Sequence, residues 1–311
     1  MKNFIAALLL ITACHAWAQE PIYPADSTRW EKKNTLGFDL SEIAFVNWNA
    51  GGVSSVSGLF KGDFVRRLTL SKSKWGNVLT VRYGLNKQDG VEWRKTDDVF
   101  KFDSNYGFRR DTASNWFHSA RFSFATQFTE GFAYPNTERA ISKAFAPAYI
   151  FLGVGAEYSN KPKRINFYFS PLTMKTTLVL DERLANQGAF GVTPARIDPL
   201  TGEITSPGSR SRTELGILST SHVKWDVYKN MNVENKLSLY TDYINNFGNI
   251  DVDWQFNLNM IVNQYVKASV GLHVIYDDDI KAKEEIDGQQ VTVGPKIQLK
   301  QTLGIGVVYS F

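Results

Sequence analysis

The chain of 311 residues holds one cysteine, Cys14, and four histidines. Cys14 falls in an N-terminal stretch that reads as a secretory signal. Met1-Lys2-Asn3 is a short basic start, Phe4 to Ala13 is an apolar run, and Ala16-Trp17-Ala18 fits an A-x-A cleavage site. Cleavage after Ala18 removes the cysteine, and with it disulfides and cysteine-held metals. Ile11-Thr12-Ala13-Cys14 also loosely fits a lipoprotein signal, which would acylate Cys14 instead. No later apolar run approaches the roughly 20 residues of a membrane-spanning helix. Charge of one sign is scarce too: a net +4 is too mild to point to nucleic acid. Heptads, solenoid repeats and low-complexity tracts are missing. So are the nucleophile elbow, H-E-x-x-H, the phosphate loop and the dinucleotide fingerprint. No enzyme, cofactor or metal site is therefore expected.

What is present is alternation. Aromatic residues make up 14% of the chain, yet mean hydropathy is slightly negative. Strands with one apolar and one polar face produce that combination. From Asp251 to Val262, the residues Val252, Trp254, Phe256, Leu258, Met260 and Val262 make one face. Asp251, Asp253, Gln255, Asn257 and Asn259 make the other. Val266 to Asp277 repeats the pattern. Similar segments lie near 35–47, 54–70, 79–85, 100–108, 120–128, 150–158, 165–169, 215–227, 237–243 and 297–311.

The chain stops on Leu303-Gly304-Ile305-Gly306-Val307-Val308-Tyr309-Ser310-Phe311. Leu303, Ile305, Val307, Tyr309 and Phe311 share one face, and small residues dominate the other. This suits a closing strand that presents an assembly signal to the outer-membrane barrel machinery. Joins alternate in length: 71–76, 112–115, 159–163, 229–232 and 263–265 are short. Of the others, 86–97, 130–146, 181–212 and 278–296 are long, with 245–250 an exception.

The expected fold is therefore all-β, an antiparallel up-and-down transmembrane β-barrel of about 12 strands. Ten to fourteen strands fit the same pattern, and both termini are expected in the periplasm. Residues 1–18 are the signal peptide, 19–34 a short periplasmic segment, and 35–311 the barrel in the outer membrane. Arg66 falls on the lipid face of its strand. Glu42 and the Pro171 region break phase.

By phase, the inward bases are Lys61, Arg67, Arg82, Lys101, Arg109, Arg121, Lys224, Lys236, Lys267 and Lys300. The inward acids are Asp63, Asp103, Glu157, Glu214, Asp226, Glu234, Asp242, Asp251, Asp253 and Asp277. The near-equality favours a self-paired interior over a wide selective pore, which would show an excess of one sign. His222 and His273 also point inward, near Asp226 and Asp277 in sequence. His118 and Ser119 are adjacent on a strand, so they face opposite sides and cannot act as base and nucleophile.

Several motifs resemble the family catalogued as domain of unknown function 3078. They are the stretch Asn47 to Gly58 with Trp48 and Gly51-Gly52, then Lys95-Thr96-Asp97-Asp98, Ile141-Ser142-Lys143 and Ala146-Pro147-Ala148-Tyr149. Ser170-Pro171-Leu172-Thr173 and Gly188-Ala189-Phe190-Gly191 complete the set. The resemblance extends over most of the chain after the signal. Met174 stands where such a family has glycine. It implies an outer-membrane barrel and no known reaction or ligand.

The expected role is non-enzymatic. One form is a narrow or gated channel for small solutes. The other is a closed structural or interaction barrel acting through its external loops, with 181–212 serving as plug or partner site. Its partners would be outer-membrane lipid and the assembly machinery, with no nucleic acid. The alternatives are an outer-membrane hydrolase and a secreted soluble β-barrel; the latter requires the large residues to point inward.

Overall fold

A computed structural model describes residues 30–43, 53–245, 247–286 and 289–311. The expected signal peptide, Cys14 and Trp48 lie outside the described residues. Twelve strands form the wall: β1 (Trp30–Ile43), β2 (Ser55–Thr69), β3 (Ser73–Gln88), β4 (Arg94–Phe108), β5 (Trp116–Thr126) and β6 (Ala148–Asn160). Then come β7 (Ile165–Leu178), β8 (Ser211–Tyr228), β9 (Met231–Asp242), β10 (Asp251–Ile261), β11 (Val266–Tyr276) and β12 (Gln298–Ser310). Each pairs antiparallel with its sequence neighbours, and β1 meets β12 to close the barrel. That seam registers Thr35 with Ser310 through Asp39 with Gly306, whereas β1 pairs along its full length with β2.

Short joins cluster at the end where β1 begins and β12 finishes, here the termini end. The longer joins cluster at the opposite, loop end. One expected long join departs from this: β3 and β4 extend into 86–97 and leave only 89–93, shorter than the 109–115 turn at the termini end. β1 starts at Trp30 rather than near residue 35, so part of the expected N-terminal segment belongs to the barrel. Trp30 packs edge-on against Trp75, with ring centroids 5.5 Å apart, and this anchors the earlier start.

The strand near 165–169 extends to Leu178, across Pro171. Proline has no N–H for the ladder, so the register shifts on both sides of it. The crowding falls on Gly155, where a Cβ would sit 2.7 Å from the Ser170 Cα. Arg66 does lie on the outer face, where it donates to the Asn34 side chain at 2.8 Å and to the Val65 carbonyl.

The large residues point outward. Phe38, Phe60, Phe122, Leu152, Leu172, Leu303 and Ile305 are exposed on that face. Aromatic pairs gather at the termini end, where Trp116 meets Tyr158 at 5.3 Å and Tyr309 meets Phe311 at 5.5 Å. A second set marks the loop end, with Phe100 against Phe128 at 5.6 Å and Tyr243 against Phe247 at 5.9 Å.

The long join between β7 and β8 is folded. It carries a short helix, α1 (Glu182–Asn186), capped by Asp181. Val179, Leu184, Ala185 and Val192 bury against Ala146 of the preceding loop and form a small core at the loop end.

Candidate functional site: the charged lumen

Alternation sends every second residue into the lumen, and strand pairing decides which of them meet. Toward the termini end, Glu157 of β6 is almost fully buried, at 1% exposure. It accepts from Lys74 Nζ at 2.8 Å, Asn105 Nδ2 at 2.7 Å, Ser119 Oγ at 3.1 Å and the Asn166 amide. Arg121 lies 3.5 Å from the same carboxylate. It also donates to Thr220 and Asn166, at 2.9 Å each, and covers the Tyr168 ring. The Lys74–Glu157 and Arg121–Thr220 contacts bridge strands three places apart, so they cross the interior rather than follow the wall. Arg121 Nε and the hydroxyls of Tyr168 and Tyr240 are buried without a hydrogen-bond partner among the described residues. Tyr168, Tyr240, Leu218 and Phe151 fill this side of the lumen.

A second cluster lies nearer the loop end. Lys175 Nζ of β7 meets Asp251 at 2.7 Å, Asp277 at 3.5 Å and Glu214 at 3.7 Å. Arg212 meets Glu214 at 3.2 Å and Asp279 at 2.8 Å. Arg212 also donates to the Gly191 carbonyl at 3.3 Å. The folded join thus touches the charged mouth directly.

The wall of β11, β12 and β1 is different. It turns Gly271, Ser269, Thr302, Gly304, Gly306 and Gly37 inward, interspersed with Lys267, His273, Lys300 and Asp39. Asp39 lies across Gly306 and takes Lys61 at 2.6 Å. Asp63 accepts from Thr80 at 2.8 Å, and Lys101 pairs with Asp103 at 3.3 Å. Lys300 reaches across to Asp97 of β4 at 3.0 Å.

The inward residues expected from sequence do not all line the passage. Arg109 falls past the end of β4 and ties the turns together through the carbonyls of Ser71 and Ser114. Asp226 sits at the exposed termini rim, paired with Arg164. Asp242 holds the β9–β10 loop through the Ile244 and Asn245 N–H groups. Arg67 lies 3.9 Å from Glu31 at the termini rim. Arg82, Lys224 and Lys267 face inward, with no hydrogen-bonding or ion-pair partner for their side chains among the described residues.

The histidine partners differ from the sequence neighbours. His222 meets Glu234 at 2.7 Å, and Lys236 shares that acid at 3.1 Å. His273 meets Asp253 at 2.8 Å. His118 faces outward beside Tyr106, Val154 and Phe169. Among the described residues, no group of three or more His, Cys, Asp or Glu side chains is placed to hold a metal.

Sequence reasoning missed Lys33, Asp39, Lys74, Asp97, Lys175, Arg212 and Asp279. Lys74 sat in an expected turn and Lys175 beyond an expected strand end. Each depth mixes the signs: Lys175 and Arg212 stand among Glu214, Asp251, Asp277 and Asp279 toward the loop end, and Glu157 stands with Lys74 and Arg121 toward the termini end.

No curated protein matches the chain. Among solved structures, it is similar to the translocator domain of the autotransporter NalP from Neisseria meningitidis. Identity is 9%, coverage 92% of this chain and 90% of that one, and the TM-score 0.35. It is similar to an outer-membrane channel from Pseudomonas putida F1 at 9% identity, covering 94% and 100%, with a TM-score of 0.40. The NanC porin is 11% identical over 88% and 98%, with a TM-score of 0.36. The family match is narrower than the motifs in the sequence suggest, because those of residues 141–149, 170–173 and 188–191 fall beyond it. Residues 40–132, from the last residues of β1 to the loop after β5, match the model of a family described as a protein of unknown function, DUF3078.

Proposed function

We propose that this chain is a non-enzymatic integral outer-membrane barrel whose lumen is a narrow passage for small hydrophilic solutes. The observation that carries the reading is the inversion of its faces. Large apolar side chains point outward between two aromatic belts, while charged groups turn inward. A barrel in lipid requires that arrangement, and a secreted soluble barrel requires the opposite. The interior is filled on the β6–β9 side and lined by small residues along β11, β12 and β1. The passage would run along that second wall. The folded β7–β8 join, tied to Arg212, would gate its outer mouth.

The cross-lumen ion pairs also favour a second reading, a closed barrel that acts through its loops. Single-channel recording in a planar bilayer separates the two. A heat-dependent gel shift first confirms a folded barrel. Small discrete conductance steps, larger when residues 181–208 are replaced by a short turn, support the passage. Folded, inserted protein that stays silent with and without that replacement overturns it.

A further inference from the structure

We propose that the outer wall at the loop end carries a groove that holds the headgroup of a sugar-bearing lipid. The inference rests on the membrane reading of the wall and not on whether the lumen conducts. Two stretches that stand out in the sequence build the groove, Lys95-Thr96-Asp97-Asp98 and Ile141-Ser142-Lys143. β3 and β4 shift register beside Thr96, pairing Gly84 with Asp97 but Leu85 with Lys95. The bulge lets Lys95 and Asp98, three residues apart, share the outward face, while Asp97 turns inward to Lys300.

A charge pair facing lipid needs cover. The β5–β6 join, residues 127–147, supplies it. Asp98 pairs with Lys95 at 2.9 Å. It also accepts from the Phe128 N–H at 2.8 Å, the Thr129 N–H at 2.9 Å and the Thr129 hydroxyl at 2.8 Å. Lys95 Nζ donates to the Thr129 carbonyl at 3.0 Å, and the Lys95 backbone N–H to the Tyr134 hydroxyl at 3.1 Å. Lys143 fixes the far part of the join through Glu130 at 3.3 Å and Asp181 at 3.1 Å. Wall and join so held enclose a groove of about 810 Å³, a size that suits a small ligand.

Tyr83 and Leu85 of the wall, Trp93 of the β3–β4 turn, and Phe128 and Tyr134 of the join line it. Trp93 is 51% exposed. Lys87 stands 5.9 Å from its ring and faces Glu92 at 4.0 Å. Arg94, 5.2 Å from the Tyr134 ring, backs that side chain. Aromatic rings beside fixed polar groups suit a sugar, whose C–H face packs on a ring and whose hydroxyls both donate and accept. Glu130 and Lys143 offer an acceptor and a donor side by side, and both reach solvent. Each cation of the lining is met by a carboxylate, Lys95 by Asp98, and Lys143 by Glu130 and Asp181. The lining is thus charge-balanced, which favours a hydroxyl-rich head over a phosphate. Tyr83 and Leu85 continue the apolar wall, where the chains of such a lipid lie.

The test places the processed protein in nanodiscs of equal parts phosphatidylcholine and a monoglucosyl diacylglycerol. Native mass spectrometry then identifies the lipid that stays bound on release. Enrichment of the glucosyl lipid is expected. Trp93→Ala should lower that enrichment about fivefold, and Trp93→Tyr should keep most of it. Trp116→Ala, in the belt at the termini end, should leave it unchanged. The heat-dependent gel shift shows that each variant remains folded, and a folded protein that fails to enter nanodiscs removes the membrane reading itself. Equal retention of the two lipids by wild type, or equal enrichment by wild type and Trp93→Ala, overturns the groove. Methyl glucoside that displaces the lipid at equal concentration overturns the lipid assignment in favour of a free sugar.

Discussion

Replacement of Glu157 tests whether the cross-lumen cluster holds the barrel together. Its two oxygens take Lys74, Asn105, Ser119 and Asn166, with Arg121 alongside. Glu157→Ala leaves two cations facing each other and the Asn105 and Asn166 amides without that acceptor, while Ser119 keeps the Asn105 Oδ1 and the Tyr106 carbonyl. Breaking one side of a buried ion pair costs about 3–5 kcal/mol. Lys74 and Arg121 keep side-chain exposures of 17% and 23%. Lumen water therefore reaches both, and the lower end, about 3 kcal/mol, is expected. Glu157→Gln keeps the shape and, with its oxygen toward Lys74 and Asn166, one good acceptor, but sets its own N–H₂ against the Asn105 amide. About 2 kcal/mol should be lost.

The assay is reversible urea unfolding in lipid vesicles, followed by tryptophan fluorescence and the gel shift. Adding Lys74→Met to Glu157→Gln should recover part of the loss, because the pair is then removed together. A Glu157→Ala protein within about 0.5 kcal/mol of wild type would refute the reasoning, because that is the range of an ordinary surface change.

Leu184→Ala should cost the folded join about 2–3 kcal/mol, read as faster proteolysis within 181–210 while the barrel band stays intact. Burial pushes the Asp181 carboxyl up, but the Leu184 N–H and Lys143 outweigh it and hold it below the usual range. The cap's contribution is thus full above the ordinary carboxylate value of about 3.9 and lost as pH falls through the lowered one. Protease sensitivity of the join should rise only in that acidic window, and Asp181→Ala should raise it at neutral pH. Gly155→Ala forces a Cβ onto the bulge at Ser170 and should cost about 1–3 kcal/mol in the urea assay. Gly202→Ala has open space for its Cβ and only a positive φ of 73° to oppose it, so the barrel midpoint should not move.

The wall was legible because alternation is a local property. Asp251 to Ile261 and Val266 to Tyr276 form the strands their patterns predict. The run through Pro171 was not, because a bulge breaks the phase that the reading depends on. Partner choice in the lumen was not legible either. His222 and Asp226 are four residues apart on one strand, about 13 Å at 3.3 Å per residue. Glu234 comes from the neighbouring strand and reaches the ring instead. The register between strands sets that meeting, and no single segment encodes it. Lys175 meets Glu214 on the adjacent strand, but Asp251 lies three strands away and Asp277 just past the end of β11, so those two meetings depend on the wider circumference. The core of the β7–β8 join rests on Ala146, whose role appears only once two loops are in place.

The seam between β1 and β12 has a kinetic consequence. Every other join in the wall links strands that follow one another in the chain. This one brings Asp39 beside Gly306, and so closes a loop of about 270 residues at an entropic cost near 5 kcal/mol. Only the short run from Thr35 to Asp39, with Asn34 and Phe311 exchanging backbone hydrogen bonds beside it, opposes that cost. In water each such bond has a net worth of about 1 kcal/mol, so an open sheet gains little by closing. In lipid the unpaired edges have no water to turn to, and closing becomes the dominant gain. Closure is then the late step of folding, its rate is set by the surrounding lipid, and the same seam is the first to part.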